Sequence, residues 1–324
     1  MTILKSVKSI SPGKSILFGE HAVVYGYPAI AMAVSITSSA IIRKLNEPNL
    51  ILDLKDNDLI LEASNLKELN SSIPSKYSQY GECLHIFQKK FDLQIENIEI
   101  ILQSELFPGA GLGSSASLSV ALVSGLNSYY ETGLNKNGIN EIAYELEKII
   151  HGTPSGIDNT ITTFGNAIYY QKGEFNFIDL KRGIPLLITY SNIEHNTKEA
   201  IDRIRKLKEK NPQKVQKILE NIGKITEEGK KELKRGNYQE IGELMNLNQK
   251  YLAELKVSNK NISQIVDIST HNGAYGSKLT GAGLGGCVIS IGEKDILKKI
   301  ADILKDKGFR SFLAENDKKG VRIE

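Results

Sequence analysis

The residues best suited to chemistry in this 324-residue sequence fall into a few short blocks. The first is Pro108-Gly109-Ala110-Gly111-Leu112-Gly113-Ser114-Ser115-Ala116, with three glycines at alternate positions. Such glycines free the backbone for conformations that side chains forbid and turn N–H groups toward an anion. The residues that follow, Ser117 to Tyr130, are small and apolar and lack proline, which predicts a buried helix. A glycine loop that opens a helix suits phosphate, because free N–H groups and the positive end of the dipole converge there. Many glycine loops are only turns. This one is neither a P-loop, which needs Lys and Ser/Thr after its last glycine, nor a G-x-G-x-x-G dinucleotide fingerprint. The expectation is a nucleoside triphosphate on another kind of loop, with the Ser115 hydroxyl available to its magnesium ion.

A second block is Ser11-Pro-Gly-Lys-Ser-Ile-Leu-Phe-Gly-Glu-His-Ala-Val-Val-Tyr-Gly26. Pro12-Gly13 should bend the chain and leave Lys14 at the start of a strand. Glu20 and His21 then interrupt an apolar run, where a core would demand partners for them. A surface turn would also accommodate them. In the third block, Glu147 precedes His151-Gly-Thr-Pro-Ser-Gly-Ile-Asp-Asn159, a tight turn that delivers Asp158. Asp158 could equally be a cap. On a helical wheel Ile142, Leu146, Ile149 and Ile150 share one face, and Glu145 and Glu147 lie at its two edges. Periodicity does not choose between them.

The elements that must carry these blocks can be read around them. Residues 3–60 read as strands with turns, including an apolar run at Ile16–Phe18 and a β-branched run at Ala29–Ile42. Ser75–Phe91 has helical spacing, and Ile95–Leu102 reads as a strand. Asn140–Ile150 reads as a helix with Asn140 as N-cap. Ala167–Tyr170 and Phe175–Ile178 should flank a Lys172-Gly173 turn, and Pro185–Tyr190 should be a strand. From Thr197 to about His271 the pattern is helical, with breaks at Pro212, Gly236 and Ser258. A second glycine loop, Gly281–Gly286, leads into a strand at Cys287–Ile291, a helix at Lys294–Lys307 and a strand at Phe309–Leu313. The basic run from Arg203 to Lys217 carries Ile201, Ile204, Leu207, Val215 and Ile218 at helical spacing, which makes it a solvated helix face.

Bulk properties exclude several classes. The length allows two domains with their own cores. Net charge is +3, from 41 basic and 38 acidic side chains, so no nucleic-acid partner is expected. Cys83 and Cys287 suggest neither a disulfide framework nor a metal knuckle and suit a reducing compartment. The five histidines lack metal-ligand spacing. The first residues lack a signal peptide's apolar stretch, and no segment has the length of a membrane span. A soluble cytoplasmic protein with no membrane partner is expected.

Taken together, the blocks resemble those of the GHMP kinases, from residue 11 to residue 287. Within that family Gly19–Gly26 and His151–Asn159 look like the branch that phosphorylates mevalonate. A further block, Lys278-Leu-Thr-Gly-Ala-Gly-Leu-Gly-Gly-Cys287, matches except that Leu284 stands where the family usually has glycine. The resemblance implies an α/β (α+β) fold of two domains, 1–180 and 181–324. The first would be like domain 2 of ribosomal protein S5 and would bind nucleotide, and the second would be ferredoxin-like. It implies transfer of the γ-phosphoryl group of ATP to the 5-hydroxyl of mevalonate, in isoprenoid biosynthesis. Pro108, Gly109, Ala110, Gly111, Leu112, Gly113, Ser114 and Ser115 would hold ATP, and Ser115 and Glu147 would hold Mg2+. Asp158 would accept the hydroxyl proton, and Lys14 would lie between hydroxyl and phosphate. Glu20 and His21 would line the mevalonate pocket. Glu194-His195-Asn196-Thr197 stands where animal relatives have an arginine before an Asn/Ser-Thr pair; either His195, with Thr197, takes the arginine's place at the substrate, or the substrate carboxylate is held otherwise. A homodimer is left open. Two rivals remain: a nucleic-acid-binding relative without catalysis, which would have lost Lys14, Ser115, Glu147 or Asp158, and a phosphomevalonate kinase, which would need more basic groups.

Overall fold

A computed structural model describes residues 5–107, 109–152, 154–180 and 183–324. Before residue 180 it contains strands β1 (Ser6–Phe18), β2 (Ala29–Lys44), β3 (Leu50–Leu54), β4 (Leu59–Ala63), β5 (Ile98–Ser104), β6 (Ala167–Gln171) and β7 (Glu174–Ile178). Their helices are α1 (Leu66–Ser72), α2 (Ser78–Phe91), α3 (Ser114–Tyr130), α4 (Lys136–His151) and α5 (Ile157–Phe164). The sheet runs β1-β2-β5-β3-β4, with β6 on β2 and β7 on β6. β3 and β5 are parallel, and the other neighbours antiparallel. β2 is long enough to serve two partners on one edge: Ala29–Met32 pair with β6 and Ser38–Lys44 with β5. Val120, Ala121, Leu122 and Val123 of α3 are all inaccessible, so this helix is buried on every side, as its composition predicts.

The second half contains β8 (Leu186–Tyr190), α6 (Thr197–Lys210), α7 (Pro212–Arg235), α8 (Tyr238–Glu254), α9 (Lys260–His271), β9 (Gly276–Leu279), β10 (Cys287–Ile291), α10 (Lys294–Asp306) and β11 (Arg310–Ala314). Its antiparallel sheet runs β11-β8-β10-β9, which in chain order is fourth, first, third, second: the ferredoxin-like arrangement. Helix punctuation follows the sequence closely. Pro212 begins α7, Gly236 ends it with φ of 74°, and Asn259 caps α9 through Ile262 N. A last strand, β12 (Arg322–Ile323), returns to the free edge of β1.

Where the two halves meet, one apolar cluster draws on both sheets, with Phe18 and Met32 from the first and Ile188 and Ile289 from the second. α7 crosses this seam, and a Cβ on its Gly229 would come within 2.6 Å of the Phe18 ring. Among the described residues no helix is long and apolar enough to cross a membrane.

Some expectations need correction. α4 starts at Lys136, not Asn140, and its cap is Asn135, whose side chain accepts from Gly138 N at 3.0 Å. Gly138 disguised the first turn. Pro12-Gly13 does not begin a strand; β1 runs through it, and the pairing with β2 slips between Pro12 and Gly13. Pro is tolerated there because a bulge needs no ladder donor. α1, α5, β9 and β12 are too short to announce themselves by periodicity.

Candidate active site

The glycine loop works by alternation. Gly109, Gly111 and Gly113 have φ of 61°, 75° and 73°, while Ala110 and Leu112 between them are buried in the seam. Apolar side chains therefore anchor the loop, and the glycines turn its N–H groups outward. Lys14 N donates to Leu112 O at 2.8 Å, which fastens the loop to β1. Gly113 must be glycine for a second reason: a Cβ there would lie 2.8 Å from Lys14 Cγ. As N-cap of α3 it supplies no side chain, so the helix's first N–H groups stay available to an anion. Ser114 Oγ is held by Ser104 Oγ at 3.2 Å and Ser117 Oγ by Ser11 O at 2.8 Å. Ser115 makes no side-chain hydrogen bond among the described residues and lines the cleft. Pro108 lies outside the described residues.

This cleft has a volume of about 590 Å³, and the loop, Lys14, Glu147, Asp158, His195, Thr197, Gly281 and Ala282 all line it. Lys14 Nζ lies 3.1 Å from Asp158 Oδ1. Asp158 sits in the first turn of α5, where the dipole favours its charge. Glu147 is 4 % exposed, and its pKa is pushed up to about 8, by burial first, then by the Asp158 carboxylate, against the pull of Lys14. Glu145, the other candidate, is exposed and pairs with Lys148 at 2.7 Å. Among the described residues no group of three or more His, Cys, Asp or Glu forms a ready-made metal site. Buried Glu147 and hydroxyl-bearing Ser115 are nonetheless hard oxygen donors in the same cleft. A divalent cation would restore to Glu147 the charge that burial disfavours.

Glu20 and His21, expected at the substrate, are buried behind the Ala282 wall of this cleft. Glu20 is 4 % exposed, ion-paired with the inaccessible ammonium of Lys278, and its Oε2 accepts from Asn248 Nδ2 at 3.1 Å. His21 Nε2 donates to Ala282 O at 2.8 Å, and burial lowers its pKa to about 4, so the ring is neutral. His195 is at the cleft, but it turns toward the glycine loop. Its Nδ1 donates to Gly109 O at 2.6 Å, and its ring faces Gly111. Thr197 opens α6 beside it. Leu284 keeps the positive φ of a glycine, 60°, and its N–H donates to Val257 O at 2.7 Å.

Sequence reasoning missed Asn159 and Lys278. Asn159 is 2 % exposed and faces Glu147; with its amide nitrogen turned that way it donates to Glu147 Oε2 at 3.1 Å and Gly156 O at 3.0 Å. The opposite orientation would set its oxygen against a carboxylate. Lys278 could have been suspected, because a lysine within a short apolar strand must find a partner. A cleft of about 630 Å³ also lies by the C-terminal tail, where Lys294 pairs with Glu315 and Arg322 with Asp317.

An anion cradle facing a lysine-bound carboxylate suits transfer of a phosphoryl group to an alcohol, and that makes the chain a small-molecule kinase by class. The profile for the GHMP kinase N-terminal domain matches residues 79–166, and that for the C-terminal domain matches 230–310. The chain is 31 % identical to mevalonate kinase of Pyrococcus abyssi over 98 % of both chains. It superposes on the crystal structure of the Methanococcus jannaschii mevalonate kinase with a TM-score of 0.86, at 29 % identity, covering 97 % of this chain and 98 % of that one. Against L. major mevalonate kinase in complex with R-mevalonate the TM-score is 0.82, at 25 % identity over 97 % of both chains. The chain belongs to the GHMP kinases, in their mevalonate kinase branch.

Proposed function

We propose that this cleft transfers the γ-phosphoryl group of ATP to the 5-hydroxyl of mevalonate. The carrying observation is the Lys14–Asp158 pair at 3.1 Å beside the glycine loop. An alcohol, with a pKa near water's at about 15.7, is too weak an acid to yield its proton to a carboxylate in advance. Phosphoryl transfer is largely dissociative, however, and depends on positioning and charge neutralisation. Asp158 therefore orients the hydroxyl and takes its proton late, at the carboxylate oxygen not engaged by Lys14. Lys14 holds Asp158 and neutralises charge on the moving phosphoryl oxygens.

The loop N–H groups of residues 109–115 and the start of α3 bind the phosphates. Ser115 and Glu147 would hold Mg2+, which when bound supplies charge neutralisation to the phosphates. His195 clamps the loop through Gly109 O, and Thr197 with Ala282 faces the acceptor substrate. In this reading the halves 1–180 and 181–324 act as two domains that supply opposite walls. The buried free thiols of Cys83 and Cys287 suit a cytoplasmic location. Among the described lining residues Lys14 is the only lysine or arginine, which favours an acceptor that carries no phosphate.

A coupled ADP-release assay over mevalonate, 5-phosphomevalonate, homoserine and galactose tests this. Turnover on mevalonate, abolished by EDTA, is expected; robust turnover on another of the four with none on mevalonate would overturn it.

A further inference from the structure

Behind the cleft wall the segment Lys278–Ala282 is stitched to the end of β1. Thr280 Oγ1 donates to Ile16 O at 3.0 Å and accepts from Ile16 N at 2.8 Å. The Lys278 ammonium binds the Glu20 carboxylate and also Leu279 O at 2.7 Å. His21 reaches Ala282 O, and Ala282 is itself cleft wall. From the other side α8 holds the same groups, through Asn248 on Glu20 and Gln249 Oε1 accepting from Leu279 N at 2.9 Å.

The side chains of Lys278 and Glu20 are 0 % and 1 % exposed. Removing two charges this fully from water costs more than most pairs return, and burial pulls the lysine's pKa down against Glu20. Two packed apolar side chains would hold the halves together at least as well. What they would not supply is direction: an ion pair with two further hydrogen-bonding groups, Leu279 O and Asn248, admits one geometry. That geometry links Lys14, which is on β1, to the Ala282 wall opposite.

We propose that Lys278 is a positioning residue for phosphoryl transfer: through Glu20 it locks the His21 segment, and with it the Ala282 wall, in register with Lys14. Glu20 then serves the substrate without touching it. The inference rests on the kinase reading above.

Glu20→Gln, Lys278→Met and the two together test it. Each single change strands a buried charge, so Tm should fall by roughly 5–10 °C. The double variant strands none, and its Tm should return to the wild-type value or above. The KM for mevalonate should nevertheless rise about tenfold in all three, with no addition in the double, because either change breaks the same lock. The KM for ATP should stay within about twofold, since Leu112 fastens the glycine loop separately. A stable double variant with wild-type mevalonate KM would make the pair merely structural and overturn the proposal. So would a normal KM in Lys278→Met beside a raised one in Glu20→Gln, which would put Glu20 on the substrate itself. If a single variant does not fold, the double variant decides alone. Tm is read without substrate, and a wild-type protein inert toward mevalonate would instead refute the kinase reading.

Discussion

Replacing Asp158 by Asn keeps the shape of the side chain and removes the charge that holds Lys14. At 3.1 Å two unit charges attract by about 1.3 kcal/mol in bulk water and by about 5 kcal/mol at an effective dielectric of ~20. The side chains are 10 % and 34 % exposed, so the pair lies between these limits, near ~3 kcal/mol. A loss of that size in the transition state lowers kcat by about 10²-fold, in line with the usual contribution of a positioned base. Lys14→Met breaks the same contact from the other side. The double variant should therefore lose little more than either single one, whereas independent roles would multiply to about 10⁴-fold. The assay is ADP release at saturating ATP and mevalonate, with nucleotide affinity measured separately and expected to change by less than about threefold. An Asn variant that keeps more than about a tenth of wild-type kcat, a loss under ~1.4 kcal/mol, refutes the assignment, as does a multiplicative double variant.

Asn159→Leu should weaken Mn2+ binding, read by EPR titration, about tenfold through its loss of hold on Glu147; unchanged affinity would reduce Asn159 to packing. His21 has a folded pKa of about 4, below its unfolded value of about 6.5, so the unfolded chain binds more protons in between. Stability should thus fall as pH drops from ~6.5 toward ~4, by up to about 3 kcal/mol. His21→Gln, which keeps a donor for Ala282 O, should flatten that slope of Tm against pH, and an unaltered slope would contradict the burial argument. His195→Ala should raise the KM for ATP roughly fivefold, the worth of about one net hydrogen bond, and leave that for mevalonate nearly unchanged; the reverse pattern would place the imidazole on the substrate.

Much of the site was legible because its signals are local. Alternating glycines with Ala110 and Leu112 between them encode both the outward N–H groups and the buried anchor, whatever the rest of the chain does. Pro212 and Gly236 act within one helical turn, so α7 could be placed from its punctuation, and the expected break at Ser258 falls one residue before the Asn259 cap of α9. The wheel of α4 was less informative. It gathers Ile149 and Ile150 onto the apolar face, yet they are 43 % and 37 % exposed, while Ala143 and Glu147 are buried. The buried stripe is turned away from the apparent one because α2, α3 and α5 all pack on this helix, and only that packing separates Glu147 from Glu145.

The sequence by itself determined the residue types able to do the chemistry, the glycine loop suited to an anion and the order of most elements. Only the tertiary structure decided which of those residues meet. Glu20 and Lys278 are 258 positions apart, and their pairing withdraws from the cleft a glutamate that its motif alone would place there. His195 is 86 residues from the carbonyl it binds, and that contact turns it toward the glycine loop. Leu284 shows the same division: its residue type argues against a positive φ, yet the tertiary bond from its N–H to Val257 O holds that conformation. Local preference amounts to a kcal/mol or so per residue, and a contact between distant segments can outweigh it once the fold has brought them together.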